Sequence, residues 1–111
     1  MSASLSDSAL WAGLLGDPEI GPLFSDAAEI AAMIEVERAL ARAQAAVGAI
    51  PAEAAQAIDA GLAGAELARE ALAEGVARDG VPVATLVSLL RERFGGEAAH
   101  WLHWGATSQD V

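Results

Sequence analysis

Apolar residues recur at spacings of three and four over a long central segment, which predicts an amphipathic helix from about Ala27 to Val47. Asp26 and Glu29 have the spacing of a capping pair, and Gly48 with Pro51 supplies the stop. This helix is the firmest structural prediction from the sequence. Its predicted apolar face consists of Met33, Val36, Leu40, Ala43 and Val47.

A second amphipathic stripe predicts a helix that Pro82 opens and that the pair Gly95-Gly96 ends. The stripe consists of Val83, Leu86, Val87, Leu90 and Phe94. Its spacing places all five residues on one helical face, so we expect that face to be buried.

Two shorter helices are predicted between these segments. Pro51 fits a first-turn position and opens a helix to about Leu62, which Gly61 and Gly64 would close. The next helix runs from about Ala65 to Ala77 and ends before Gly80. The stretch 52–73 is rich in alanine but keeps a helical pattern.

The first 25 residues mix short apolar pieces with glycine and proline. This mixture predicts a short helix around Leu5 to Leu15 followed by a loop. We therefore expect an arm rather than a core element.

The composition favours one all-α domain. The chain has 111 residues, 54% of them hydrophobic, and the apolar content is largely alanine and leucine with few β-branched or aromatic side chains. We expect a single helical domain over 1–111, with an arm and loop at 1–25, a helical body at 26–96 and a separate terminal segment at 97–111.

Charge and cysteine content exclude several classes of function. The net charge is −10 with only six Lys and Arg residues, which argues against nucleic acid and anionic membrane surfaces as partners. The lack of cysteine excludes disulfides, thiolate catalysis and Cys-containing zinc sites. Residues 1–7 carry no positive charge, and no apolar run approaches the ~20 residues that span a bilayer, so the simplest expectation is a soluble, cytoplasmic protein.

The last residues concentrate the polar chemistry of the chain. Thr107 and Asp110 have the spacing of a capping box, yet only Val111 follows, which suggests a truncated chain. Free backbone N–H groups at a helix start, together with hydroxyls of Thr107 and Ser108 and the amide of Gln109, would form a carboxylate-sized anion site. On spacing alone, an ordinary helix cap is the more common explanation.

The two histidines precede this turn. His100 and His103 lie three apart, as two metal ligands on one helix face would, but no cysteine or well-placed carboxylate completes a set, so no metal site is expected. His103 is four residues before Thr107 and could donate to a substrate carboxylate or tune its protonation. Trp101 and Trp104 are expected to be core or interface anchors.

The segment from His103 to Val111 resembles the first signature segment of the fumarase/aspartase superfamily. Its core, Gly105 to Asp110, looks like the version found in 3-carboxy-cis,cis-muconate cycloisomerases. The stretch 35–51 resembles the long first-domain helix of the same family and its exit, and the stretches 16–19 and 23–26 also resemble it.

The resemblance implies a larger enzyme with three mostly helical domains, a central bundle of long helices, and a homotetramer with shared active sites. This chain would be its amino-terminal domain, with 97–111 leading into the missing bundle. The catalytic histidine and the mobile serine loop would lie beyond Val111, so we expect no catalytic residue here and no activity from this chain alone.

The activity implied is lactonisation of 3-carboxy-cis,cis-muconate, a small tricarboxylate, in protocatechuate breakdown, without a metal or redox cofactor. Thr107 and Ser108 would bind substrate, with His103 and Gln109 as weaker candidates.

Two alternatives remain open. Adenylosuccinate lyases carry a functional histidine where this chain reads 79–83, and typical cycloisomerases read Gly-Asn-Pro where it has Gly80-Val81-Pro82. The parent enzyme could therefore be another lyase that eliminates fumarate, similar to adenylosuccinate or argininosuccinate lyase. The chain could instead be a non-enzymatic acidic helical module that binds a partner through Met33, Val36, Leu40 and the tryptophans.

Overall fold

A computed structural model describes Ser4, Leu5 and residues 8–111, and within these residues the chain is helical, with no β-strand. The prediction of an all-α fold is confirmed. The helices are α1 (Ala12–Leu15), α2 (Asp26–Ala46), α3 (Ala52–Leu62), α4 (Arg69–Asp79), α5 (Val83–Phe94) and α6 (Gly96–Trp101), with 3₁₀ turns at Gly21–Phe24 and Ser108–Asp110.

The long helix α2 lies within one residue of its predicted bounds, but its cap is Ser25 rather than Asp26. The Ser25 hydroxyl oxygen accepts a hydrogen bond from the backbone N–H of Ala28 at 3.2 Å. Asp26 and Glu29 occupy the first turn, where the helix dipole favours negative charge. The predicted capping pair is therefore wrong by one residue.

The predicted buried face of α2 is also wrong in part. Met33 is buried as expected, yet Val36 is 37% exposed and Val47 is 81% exposed. Because α2 is rich in alanine, several faces have the same three-and-four spacing, and α3 packs on a neighbouring one. The buried residues of α2 are Met33, Ile34, Glu37 and Ala41.

The core forms where α2, α3, α5 and α6 pack together. The predicted stripe of α5 is confirmed, since four of its residues are buried and Phe94 packs half-buried against the same cluster. Pro51 is the N-cap of α3, one residue before its first turn. The side chains of largest volume with full burial are Ile58, Leu62, Leu86, Leu90, Leu102 and Glu37.

Three boundaries differ from expectation. The early helix is only α1, and part of its predicted range, residues 6 and 7, lies outside the described residues. Helix α4 begins four residues later than predicted because Ala68 is extended, with ψ of 117°. Helix α6 was not predicted, because the pair Gly95-Gly96 was expected only to end the preceding helix. Gly95, with φ of 63°, turns the chain, and α6 begins at Gly96 itself.

None of the helices in the described part of the chain is long and apolar enough to cross a membrane.

Candidate functional site

The predicted site residues lie on the turn that follows α6. Leu102 is extended and 1% exposed, so it anchors the turn in the core. His103 then adopts a left-handed conformation with φ of 59°, and the backbone N–H of Ala106 donates to the His103 carbonyl at 3.3 Å. This bend brings Thr107 to the start of the last 3₁₀ turn.

Thr107 to Asp110 form the capping box that the sequence predicted. The Thr107 hydroxyl oxygen accepts from the backbone N–H of Gln109 at 3.4 Å, and the Asp110 carboxylate accepts from the backbone N–H of Thr107 at 2.9 Å. The Thr107 hydroxyl also donates to the Gln109 side-chain oxygen. The backbone N–H and the hydroxyl of Thr107 therefore both form hydrogen bonds that hold the turn.

Ser108 differs from Thr107 because no described residue forms a hydrogen bond with its hydroxyl. It is partly buried and lines a cleft of about 300 Å³. The wall of this cleft is mainly apolar, and Glu29 is its one ionisable residue; the other lining residues are Ala32, Met33, Val36, Val81, Pro82, Val83 and Val111. The segment 81–83, singled out in the sequence, thus lies beside Ser108.

His103 faces a different part of the molecule. Its Nδ1 lies 2.6 Å from Oε1 of Glu37 on α2, and the side chain is 12% exposed. It lines a second cleft of about 560 Å³ together with Arg91, His100 and Trp104. The four predicted binding residues therefore share one turn but not one cleft.

Glu37 is the residue that sequence reasoning missed. It is 1% exposed, and its Oε2 is buried without a hydrogen-bond partner among the described residues. Burial raises the pKa of the Glu37 carboxyl, while the His103 ring and the Arg91 guanidinium oppose that rise. A charged residue within an otherwise apolar face was the available signal, but the expected face of α2 did not include it.

The second histidine belongs to an aromatic cluster. The His100 ring centroid lies 4.9 Å from that of Trp101 and 5.3 Å from that of Trp104, and the two indoles are 4.7 Å apart. His100 therefore packs on indole rings while His103 binds Glu37. No group of three or more His, Cys, Asp or Glu side chains in the described part of the chain could hold a metal ion.

The fold is similar to part of solved enzyme structures. No family model matches the chain. The solved structure of β-carboxy-cis,cis-muconate cycloisomerase from Acinetobacter calcoaceticus superposes with a TM-score of 0.84 and 37% identity, over 90% of this chain and 24% of that one. With this similarity, the chain belongs to the fumarase/aspartase superfamily.

Individual relatives carry more than one activity in their names. The 3-carboxy-cis,cis-muconate cycloisomerase of Bradyrhizobium diazoefficiens is 40% identical over 85% of this chain. The adenylosuccinate lyase of Methanothermobacter thermautotrophicus is 36% identical over 86% of it. The chain spans about a quarter of the length of the curated relatives it matches.

Proposed function

We propose that this chain belongs to an enzyme that lactonises 3-carboxy-cis,cis-muconate, and that Thr107 and Ser108 bind one substrate carboxylate. The observation that carries the proposal is the Ser108 hydroxyl, which no described residue engages and which stands at a capped helix start. A hydroxyl with no partner inside the protein can donate to a substrate carboxylate.

The chemistry requires such donors at one position. In the lactonisation, one substrate carboxylate oxygen attacks the conjugated double bond of the same molecule, and a C–O bond forms. A protein acid delivers a proton to the carbon next to a second carboxylate, so a C–H bond replaces the remaining part of that double bond. Negative charge accumulates on the second carboxylate during the reaction, and preorganised donors aimed at it lower the barrier.

The roles of the four residues differ in this proposal. Ser108 donates directly through its hydroxyl, while Thr107 and Gln109 hold the turn that presents Ser108 to the substrate. His103 supports substrate binding from the other side of the turn. The acid that protonates carbon lies outside this chain, and the reaction needs no metal or redox cofactor.

The proposal extends to the whole protein. The 111 residues act as one helical domain, with 1–25 as an arm, 26–96 as the body and 97–111 as the segment that carries substrate-binding groups. The whole enzyme is a homotetramer whose active sites draw on more than one subunit.

A fumarate-eliminating lyase is the second candidate, because the chain is also similar to an adenylosuccinate lyase. The cleft at Ser108 weighs against that substrate. Its wall contains Val81, Pro82 and Val83, and this segment lacks the functional histidine that adenylosuccinate lyases carry there.

The test is a direct comparison of substrates with the whole protein that carries this chain. We expect 3-carboxy-cis,cis-muconate to lose its conjugated-diene absorbance at a rate typical of enzymes, on the order of 10 per second. Adenylosuccinate and argininosuccinate should show no release of fumarate. Turnover of either succinate compound without turnover of the muconate would replace the proposed substrate.

A further inference from the structure

Glu37 is a costly residue to place where the structure has it. A carboxylate that leaves water loses its hydration, and a buried ion pair seldom stabilises a fold more than apolar residues of similar volume would. Glu37 is 1% exposed, and one of its two oxygens has no hydrogen-bond partner in the described part of the chain. Stability alone therefore gives no reason for a carboxylate at this position.

The contact that Glu37 makes is with a residue held in an uncommon conformation. His103 has φ of 59°, in the left-handed region that L-residues other than glycine rarely adopt. Such a conformation persists where neighbouring groups determine it from several directions. The structure has three contacts of this kind, one to His103 itself and one to the residue on each side of it.

The two flanking contacts come from different helices. Arg91 on α5 donates through Nη2 to the Leu102 carbonyl at 3.2 Å. Gln44 on α2 donates through Nε2 to the Trp104 carbonyl at 2.6 Å. These bonds fix the backbone on both sides of His103, and the Glu37 carboxylate then fixes the ring at Nδ1.

We propose that Glu37 is a positioning residue that holds His103 with its proton on Nδ1, so that the ring presents Nε2 to substrate in the cleft beside Arg91. The tautomer of a histidine is set by the hydrogen bond that its other nitrogen makes, and a carboxylate oxygen accepts only from Nδ1–H. No described residue bonds Nε2, which leaves this nitrogen to a ligand. Burial raises the pKa of the Glu37 carboxyl, whereas His103 and Arg91 lower it and so favour the ionised form that accepts from Nδ1–H.

The ligand class follows from the charges around the ring. His103 shares its cleft with the Arg91 guanidinium and His100, in a chain whose net charge is −10. In the Nδ1–H tautomer Nε2 carries a lone pair and accepts, so it suits an O–H donor such as a water held on a substrate carboxylate, and the Arg91 guanidinium beside it donates to the carboxylate itself. The proposal therefore adds a second carboxylate contact to the function proposed above, and its kinetic test rests on that function.

The decisive variant is Glu37→Leu, which removes the acceptor while keeping an apolar group of similar length. In the whole protein, nitrogen-15 NMR of labelled histidines, assigned by loss of signal in His103→Asn, reports the tautomer without any substrate. We expect Nδ1–H in the parent protein and loss of that preference in Glu37→Leu. An unchanged tautomer would overturn the proposal whether or not the muconate is the substrate.

Kinetics then separate positioning from a purely structural role. We expect Glu37→Leu to lower kcat/KM about tenfold to a hundredfold, as loss of an orienting partner does for other functional histidines. In a His103→Asn background, the same change should alter kcat/KM by no more than about twofold, because its target is already gone. An equal loss in both backgrounds would show that Glu37 does not act through His103.

Two controls keep the result interpretable if Glu37→Leu folds poorly. Glu37→Gln retains a carbonyl acceptor for Nδ1–H and should keep the tautomer and most of the activity. Glu92→Gln removes an exposed carboxylate from α5 and should leave both unchanged. A parent protein inactive on the muconate would refute the proposed function, and the tautomer would still decide the role of Glu37.

Discussion

The hydroxyls of Thr107 and Ser108 are engaged differently, although they are neighbours. The Thr107 hydroxyl accepts a backbone hydrogen bond and contacts Gln109, whereas no described residue bonds the Ser108 hydroxyl. A side chain that caps its own turn contributes to stability, and one that stands ready to donate can contribute to binding. Substitutions at the two positions should therefore damage different properties.

We predict that Ser108→Ala in the whole protein slows turnover of 3-carboxymuconate a hundredfold or more, or about 3 kcal/mol in the barrier, with little change in melting temperature. Thr107→Val should lower both turnover and stability, the latter by about 1 kcal/mol. Thr107→Ser keeps the cap and serves as the matched control. Steady-state kinetics beside thermal unfolding provide the measurement. Near-normal turnover in Ser108→Ala and Thr107→Val would leave only the capping role.

The buried carboxyl of Glu37 predicts a dependence of stability on pH. Its pKa in the folded chain is raised above the ordinary value of 4.5, chiefly by burial. As pH rises, Glu37 therefore ionises in the unfolded chain before it ionises in the folded chain. The stability that the neutral carboxyl contributes is present below pH 4.5 and is lost as pH rises through the folded pKa.

Glu37→Gln removes this titration. We predict that its melting temperature rises relative to that of the parent protein between pH 4.5 and pH 8, as measured by calorimetry at both values. Glu92→Gln, at an exposed position, should show no such trend. A constant difference between Glu37→Gln and the parent across this range would contradict the prediction.

Some residues of the site were predictable from sequence and others were not. The capping box at Thr107 and Asp110 depends on local spacing, so it could be predicted from the sequence alone. The contact between Glu37 and His103 joins positions 66 residues apart, and no local pattern encodes such a pair. Predicting it needed the rotation of α2, which the alanine-rich sequence leaves ambiguous.

At the scale of elements, α4 and α5 approach each other at a glycine. Gly75 is buried, and a Cβ atom there would lie 2.0 Å from Oγ1 and 2.6 Å from Cβ of Thr85. The Thr85 Cβ is fixed to the backbone, so a rotamer change cannot remove the overlap. The two helices would have to separate.

We predict that Gly75→Ala destabilises the protein by about 1–3 kcal/mol, although alanine is the better helix former. Gly13→Ala in α1 has open space around the new methyl group and should be neutral or slightly stabilising. Chemical denaturation of the two variants measures the difference. The added substitution Thr85→Gly should recover part of the loss, and Gly75→Ala alone being as stable as the parent would contradict the close approach.

Element boundaries were predictable where glycine or proline sets the backbone. Gly80 ends α4 with φ of 78°, and Pro51 caps α3, both within a residue or two of expectation. The start of α4 was missed because 65–68 consists of good helix formers that the tertiary structure holds in other conformations. Composition alone cannot show where tertiary contacts outweigh helix propensity.

At the scale of the whole molecule, the chain is elongated. Its Cα radius of gyration is 16.7 Å, against about 13 Å for a compact domain of this length. Much of the exposed apolar surface lies on the described part of the arm, where Leu10 is 81% exposed, Leu14 is 75% exposed and Phe24 is 85% exposed. We infer that another part of the protein or a second copy covers this apolar surface.

We predict that Leu10→Ser, Leu14→Ser and Phe24→Ser, combined in the whole protein, weaken self-association while leaving the helical body folded. These side chains are exposed in this domain, so their replacement removes no core packing, but it removes apolar surface available for assembly. Light scattering should show a shift toward smaller species, and circular dichroism should show unchanged helix content. Val47→Ser, equally exposed but outside the arm, is the matched control and should leave the assembly intact, whereas Leu90→Ser in the core should lower the melting temperature. An unchanged assembly in the triple variant would show that the arm is not part of the contact between subunits.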